Sequence, residues 1–315
     1  AERTDAVKYA VLPAVLSLAA ALAAGGEGPS KEKMPFVRVS PRDGRYFELT
    51  DGRPFIPVGL NIVGTWPQKP EEEGLVRIER WLDALAKNSG NFARVWLSSG
   101  FWDIEHERCG AYDERVARRI DRLLEIARAC GVRLKLTIEH FREINPDDPY
   151  AKKKAWATKA LHHVSRGGTA TSMDDWFTGA ASRDRFRGKL RWYADRYGAD
   201  PVIFGWELWN EVNAVRSGKY RDWTRIMLAE LHRLFPKNLA MQSLGSFDRD
   251  GNREQYRWLV AMEGNDVAQV HRYLDCGARL KVCRGPVDVL AAGAVRELRD
   301  MKPGTPIILA ESGAV

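Results

Sequence analysis

The chain has 315 residues, 44% of them hydrophobic and 29% charged, with 11 tryptophans and a formal net charge of +7. This composition excludes a disordered chain, which lacks the apolar surface needed to offset the entropy of ordering, and it suits one large domain. Lys and Arg are interleaved with Asp and Glu, so the basic balance reads as solubility or weak surface attraction and implies no nucleic-acid partner.

In chain order, Lys8 precedes an apolar stretch from Tyr9 to Ala24, broken by Pro13 and ending at Ala21-Leu22-Ala23. That pattern is expected of an export signal over residues 1–28, and of a secreted or periplasmic protein. The stretch is shorter than the roughly 20 apolar residues of a spanning helix, so no stable membrane insertion is expected. Residues 34–315 are expected to form the folded domain, as a monomer.

Phe36 to Pro57 contains alternating runs punctuated by Asp43-Gly44 and Asp51-Gly52, and predicts a short β-hairpin cap. Strand-like runs follow at Phe55–Asn61, Phe92–Leu97, Val132–Glu139, Val202–Leu208, Leu239–Gln242, Val267–Val270 and Ile307–Ala310. Helical spacing of apolar residues separates them, over 75–88, 114–130, 183–197, 221–235 and 286–301. Short apolar strands alternating with amphipathic helices predict an α/β fold, a (β/α)8 TIM barrel, with an inserted loop over 141–182. Val315 lies four residues past Glu311, so the expectation is a barrel truncated after strand seven. No GxGxxG follows the first strand, which argues against a dinucleotide fold.

Of the four cysteines, Cys276 and Cys283 lie close enough in sequence to pair, and Cys109 with Cys130 is a weaker candidate; free thiols are the alternative. No CxxC spacing suggests zinc, and the His162-His163 doublet has no ligand-spaced partner in the sequence. No metal or cofactor is implied.

The active end of such a barrel is the C-terminal end of its strands. There the sequence places Arg94, Glu139-His140, Trp209-Asn210-Glu211, His271 with Tyr273, and Glu311. Two carboxyls facing each other across one rim suit glycoside hydrolysis, in which one assists the leaving oxygen and the other attacks the anomeric carbon. Arg94 and Tyr273 would keep Glu311 charged, and a less solvated Glu211 would stay protonated beside it. Glu139 is expected to point away from the pocket, since neighbouring strand residues face opposite sides. Trp66, Trp102, Trp176 and Trp209 are candidate sugar platforms, with core packing as the alternative.

FGWELWNEVN at 204–213, VHRY at 270–273 and PIILAESG at 306–313, with Arg94 and His140, resemble the signatures of glycoside hydrolase family 5, the cellulase and mannanase family of retaining (β/α)8 glycosidases. The resemblance runs from about Phe36 to the end. It implies Glu211 as acid/base, Glu311 as nucleophile and Asn210 as ligand of the sugar 2-hydroxyl. It also implies that His271 and Tyr273 position the glutamates, and that Arg94 and His140 support the site. The implied partner is a β-linked polysaccharide or oligosaccharide of the β-mannan or β-glucan class. A non-catalytic glycan-binding protein on a degenerate barrel is the alternative. A metal-dependent barrel hydrolase or lyase is a third reading, disfavoured because no ligand cluster is evident at the strand ends.

Overall fold

The computed structural model describes residues 34–64, 70–153 and 161–313. The expected export signal and Trp66 lie outside the described residues. Three short antiparallel strands come first: β1 (Val37–Val39), β2 (Phe47–Leu49) and β3 (Pro54–Phe55), paired in that order. Gly52 turns the chain between β2 and β3 at φ +89°, a conformation that favours glycine. Phe47 packs edge-on against Phe204 at 5.1 Å between ring centroids, and Phe55 lies 6.1 Å from the same ring. Val37, Leu49, Phe92, Leu239, Val267 and Ile308 complete this apolar layer. Most of its members begin the parallel strands, so the small sheet closes the N-terminal end of the fold and leaves the C-terminal end to the site.

The next five strands, β4 (Gly59–Ile62), β5 (Phe92–Trp96), β6 (Arg133–Glu139), β7 (Ile203–Trp209) and β8 (Leu239–Met241), form one parallel sheet in chain order. A second parallel pair is formed by β9 (Ala268–His271) and β10 (Ile307–Glu311). The first parallel strand starts later than its sequence run suggested, because Phe55 belongs to β3. Pro57 has no N–H to donate, and the Val58 N–H is taken by the Asn91 side chain at 2.9 Å, so the ladder begins at Gly59.

Helices Glu71–Lys87, Glu114–Ala129, Ala180–Tyr197, Tyr220–Leu234 and Val287–Met301 follow β4, β5, β6, β7 and β9. Asp113 caps the second of these by accepting from the Arg115 and Val116 N–H groups, and Gly131 ends it at φ +69°. The helix Gly251–Ala261, after β8, escapes the periodicity reading. Its buried apolar side chains are confined to Tyr256, Leu259 and Val260, too short a stripe to stand out.

The strands curl around a shared interior. Arg94 on β5 bonds Glu207 on β7 and Glu311 on β10. Lys135 on β6 donates to Gln269 on β9. In a flat sheet β6 and β9 would stand roughly 14 Å apart at about 4.8 Å per strand, beyond the reach of these side chains. The two parallel sheets of this α/β fold therefore curve around one interior.

Candidate active site

Strand ends supply the site. After β7 the backbone turns sharply, and Glu211 sits at φ +53°, a left-handed conformation for a residue with a Cβ. Its N–H donates to Ser243 Oγ at 3.0 Å, which helps hold the turn. The turn lifts the Glu211 carboxylate over the strand ends towards Glu311 at the end of β10. His271, at the end of β9, lies between them: Nδ1 is 3.0 Å from Glu211 Oε1 and 3.5 Å from Glu311 Oε2. A ligand-type atom from each of these three residues lies within 4.8 Å of the others.

Glu311 is held at both oxygens. Arg94 Nη1 donates to Oε1 and the Tyr273 hydroxyl donates to Oε2. Arg94 is 1% exposed, and its burial is offset by Glu207 and Glu311, which hold it cationic. It donates to both oxygens of Glu207, at 2.8 and 3.0 Å. It also donates to the amide oxygen of Asn210 at 2.7 Å, so the Asn210 amino group is the donor left for a ligand. Burial and the charge of Glu311 push the Tyr273 hydroxyl well above its ordinary range, so it remains a donor.

Glu211 departs from its expected protonated state. Burial raises its pKa, but the hydrogen bond and charge of His271 and the cations Arg142 and Arg94 outweigh it, and the carboxyl lies below its usual value. Arg142 Nη2 stands 3.0 Å from Glu211 Oε2, and Nη1 donates to the backbone carbonyls of Asn210 and Glu211. The sequence reading missed Arg142: it lies in the long loop after β6, 69 residues before its partner.

A cavity of about 990 Å³ opens over these groups. Glu211, Glu311, Asn210, Tyr273 and His140 line it, together with Arg142, Trp96, Phe101 and Phe141. His140 Nδ1 is 2.6 Å from Ser98 Oγ, and burial with the nearby Arg142 and Lys189 charges lowers its pKa to about 4, so the ring is neutral. Its ring centroid is 5.3 Å from that of Trp96. Trp96, partly buried on the cavity wall, is a tryptophan that the sequence reading did not weigh as a platform.

Trp209 has the opposite fate. It is fully buried beneath the site, 4.3 Å from Phe141 and 5.8 Å from Trp223 between ring centroids, so it supports the site by packing and offers no platform. Trp102 and Trp176 are buried as well. Glu139 does not turn away from the cavity. It lines the wall and pairs with buried Lys189, which also reaches Glu105 at 3.2 Å. All four cysteines are free: Cys283 is buried with Sγ 3.7 Å from the Phe247 carbonyl, whereas Cys276 is exposed.

The Glu211, His271 and Glu311 trio does form a ligand-spaced cluster at the strand ends, contrary to the expectation. Arg94, Tyr273 and Arg142 already bond its carboxylates, so an added cation would have to displace them. Two carboxylate oxygens within 4.8 Å, one carboxylate fixed by a guanidinium and a phenol, suit attack on an anomeric carbon with proton transfer from the other carboxyl.

No family model matches the chain. A mannan endo-1,4-beta-mannosidase 2 of Arabidopsis thaliana is 27% identical over 227 residues, 68% of this chain and 50% of that protein. A mannan endo-1,4-beta-mannosidase 4 of Oryza sativa subsp. japonica is 30% identical over 248 residues, 73% of this chain and 51% of that protein. The chain thus spans about half the length of the curated relatives it matches. Among solved structures, the endo-1,4-beta-mannanase of Rhizomucor miehei aligns with a TM-score of 0.57 at 18% identity, over 89% of this chain and 90% of that one. The endo-beta-1,4-mannanase of Thermotoga petrophila aligns with a TM-score of 0.59 at 18% identity, over 82% and 61%. The parallel α/β fold is therefore shared with these mannanases, and the resemblance read from the motifs agrees with the sequence relatives.

Proposed function

We infer that the chain belongs to glycoside hydrolase family 5 and hydrolyses β-mannan with retention of configuration. The observation that carries the mechanism is the approach of the Glu211 and Glu311 carboxylates to within 4.8 Å, the spacing of a direct nucleophile and not of a pair with a water between them. Mannan as substrate rests on the names of the relatives; the motifs alone leave β-glucan equally open.

In the first step Glu311 attacks the anomeric carbon while Glu211 passes a proton to the departing glycosidic oxygen. The glycosidic bond breaks and a covalent glycosyl ester forms on Glu311. In the second step Glu211 takes a proton from water, the water oxygen attacks the same carbon, and the ester bond to Glu311 breaks. Arg94 and Tyr273 hold the two oxygens of Glu311 and aim it. His271 bridges the two carboxylates, and Asn210 donates to the 2-hydroxyl. Trp96, Phe101 and Phe141 give the cavity apolar faces for the C–H faces of sugar rings.

An exported monomer suits a polymer that cannot enter a cell, and the Tyr9–Ala24 stretch supports export. The described residues contain no helix long and apolar enough to cross a membrane. Proton NMR of the first sugar released from a β-manno-oligosaccharide tests the mechanism. The β-anomer is expected to appear first, with the α-anomer growing in by mutarotation; initial release of the α-anomer would exclude Glu311 as nucleophile.

A further inference from the structure

We propose that Glu105, Cys109 and His162 form a three-ligand transition-metal site, suited to zinc, which ties the loop after β5 to the loop after β6. The inference is independent of the glycosidase reading. Ligand atoms of the three side chains lie within 4.8 Å of one another, and all three residues are buried. Cys109 Sγ is 3.4 Å from His162 Nδ1. Two ligands of one tetrahedral zinc, at about 2.3 Å for sulfur and 2.0–2.1 Å for nitrogen, stand roughly 3.5 Å apart. The sulfur and nitrogen are thus already at that spacing. A thiolate, an imidazole and one carboxylate make a donor set that favours zinc or cobalt over magnesium or calcium.

A bound cation would displace Lys189 from Glu105 Oε2, where it stands at 3.2 Å. The Gly110 N–H donates to Glu105 Oε1 at 2.5 Å, the kind of support that orients a ligating carboxylate. Lys189 shares itself between Glu105 and Glu139, so it keeps a partner if Glu105 turns to a metal. Glu105 and His162 line the large cavity, which supplies an entry path and a water for the fourth position. The two loops also carry Phe101 and Phe141 of the cavity wall, so the metal would fix that wall.

The test uses the full chain, stripped with a chelator, kept reduced and titrated with cobalt(II) alone. The expected result is one equivalent bound, with a thiolate-to-cobalt charge-transfer band. Cys109→Ser should remove the band, and His162→Gln, which removes a direct ligand, should weaken binding by more than the roughly 10–100-fold lost with a supporting residue. Cys130→Ser, a cysteine elsewhere, and Glu311→Gln, in the other ligand-spaced trio, should titrate as the wild type does. The wild-type spectrum decides without reliance on any variant's folding: no charge-transfer band overturns the site. A band that survives Cys109→Ser, or one lost in Glu311→Gln, overturns it equally.

Discussion

After His271, Arg142 is the next group that lowers the pKa of Glu211. Its guanidinium, 3.0 Å from Glu211 Oε2, favours the ionised carboxylate and so opposes the protonated form that must act as general acid. In the proposed mechanism, loss of the Glu211 proton sets the alkaline limb of the pH profile. Removing a cation that lowers this pKa raises it, so Arg142→Met is expected to move the alkaline limb of kcat/KM to higher pH. An unmoved or acid-shifted limb in a pH–rate series would show that Arg142 does not control Glu211. His140 differs in kind: its ring stays neutral down to a pKa of about 4 and contributes no charge near neutrality.

At the scale of elements, the end of β7 carries backbone strain. A residue with a Cβ in the left-handed region costs about 1–2 kcal/mol, and here the cost falls on Glu211 itself. Glu211→Ala and Glu211→Gly both lose the carboxylate, but only glycine relieves the backbone. Glu211→Gly is therefore expected to be the more stable of the two by about 1 kcal/mol in denaturant unfolding; equal stability would mean that the turn is not strained. The strand ends were the legible part of the site. Asn210-Glu211, His271, Tyr273 and Glu311 each end a short apolar run, and the run marks the strand. Arg142 and the Glu105, Cys109 and His162 cluster were not legible, and Trp96 was passed over although it ends the run that forms β5. Arg142 and the cluster sit on long loops or meet partners more than 50 residues away in the chain, as Cys109 and His162 do. Trp209 misled for a related reason: it follows the strand pattern, but its ring turns into the aromatic packing with Phe141, Phe177 and Trp223.

For the whole molecule, the polar interior links stability to pH. Glu207 is fully buried, and burial alone would raise its pKa. Arg94 and Lys135 prevail and hold it far below the usual carboxylate range, with Thr137 donating to it at 2.7 Å. A depressed folded pKa gives stability that is present above the unfolded value of about 4.3 and is lost as pH falls below it. Acid unfolding should therefore steepen below about pH 4.3. Glu207→Gln should flatten that dependence while costing about 3–5 kcal/mol near neutrality; an unchanged acid limb in urea titrations would remove Glu207 from the account. The most direct test of the proposed activity is reducing-sugar release from β-mannan and β-glucan by the full chain, Glu211→Gln and Glu311→Gln. The expected result is preferential cleavage of mannan, with each variant slower by on the order of 10²–10⁴ or more. Hydrolysis that survives in either variant, or no hydrolysis of either glycan by the unaltered chain, would contradict it.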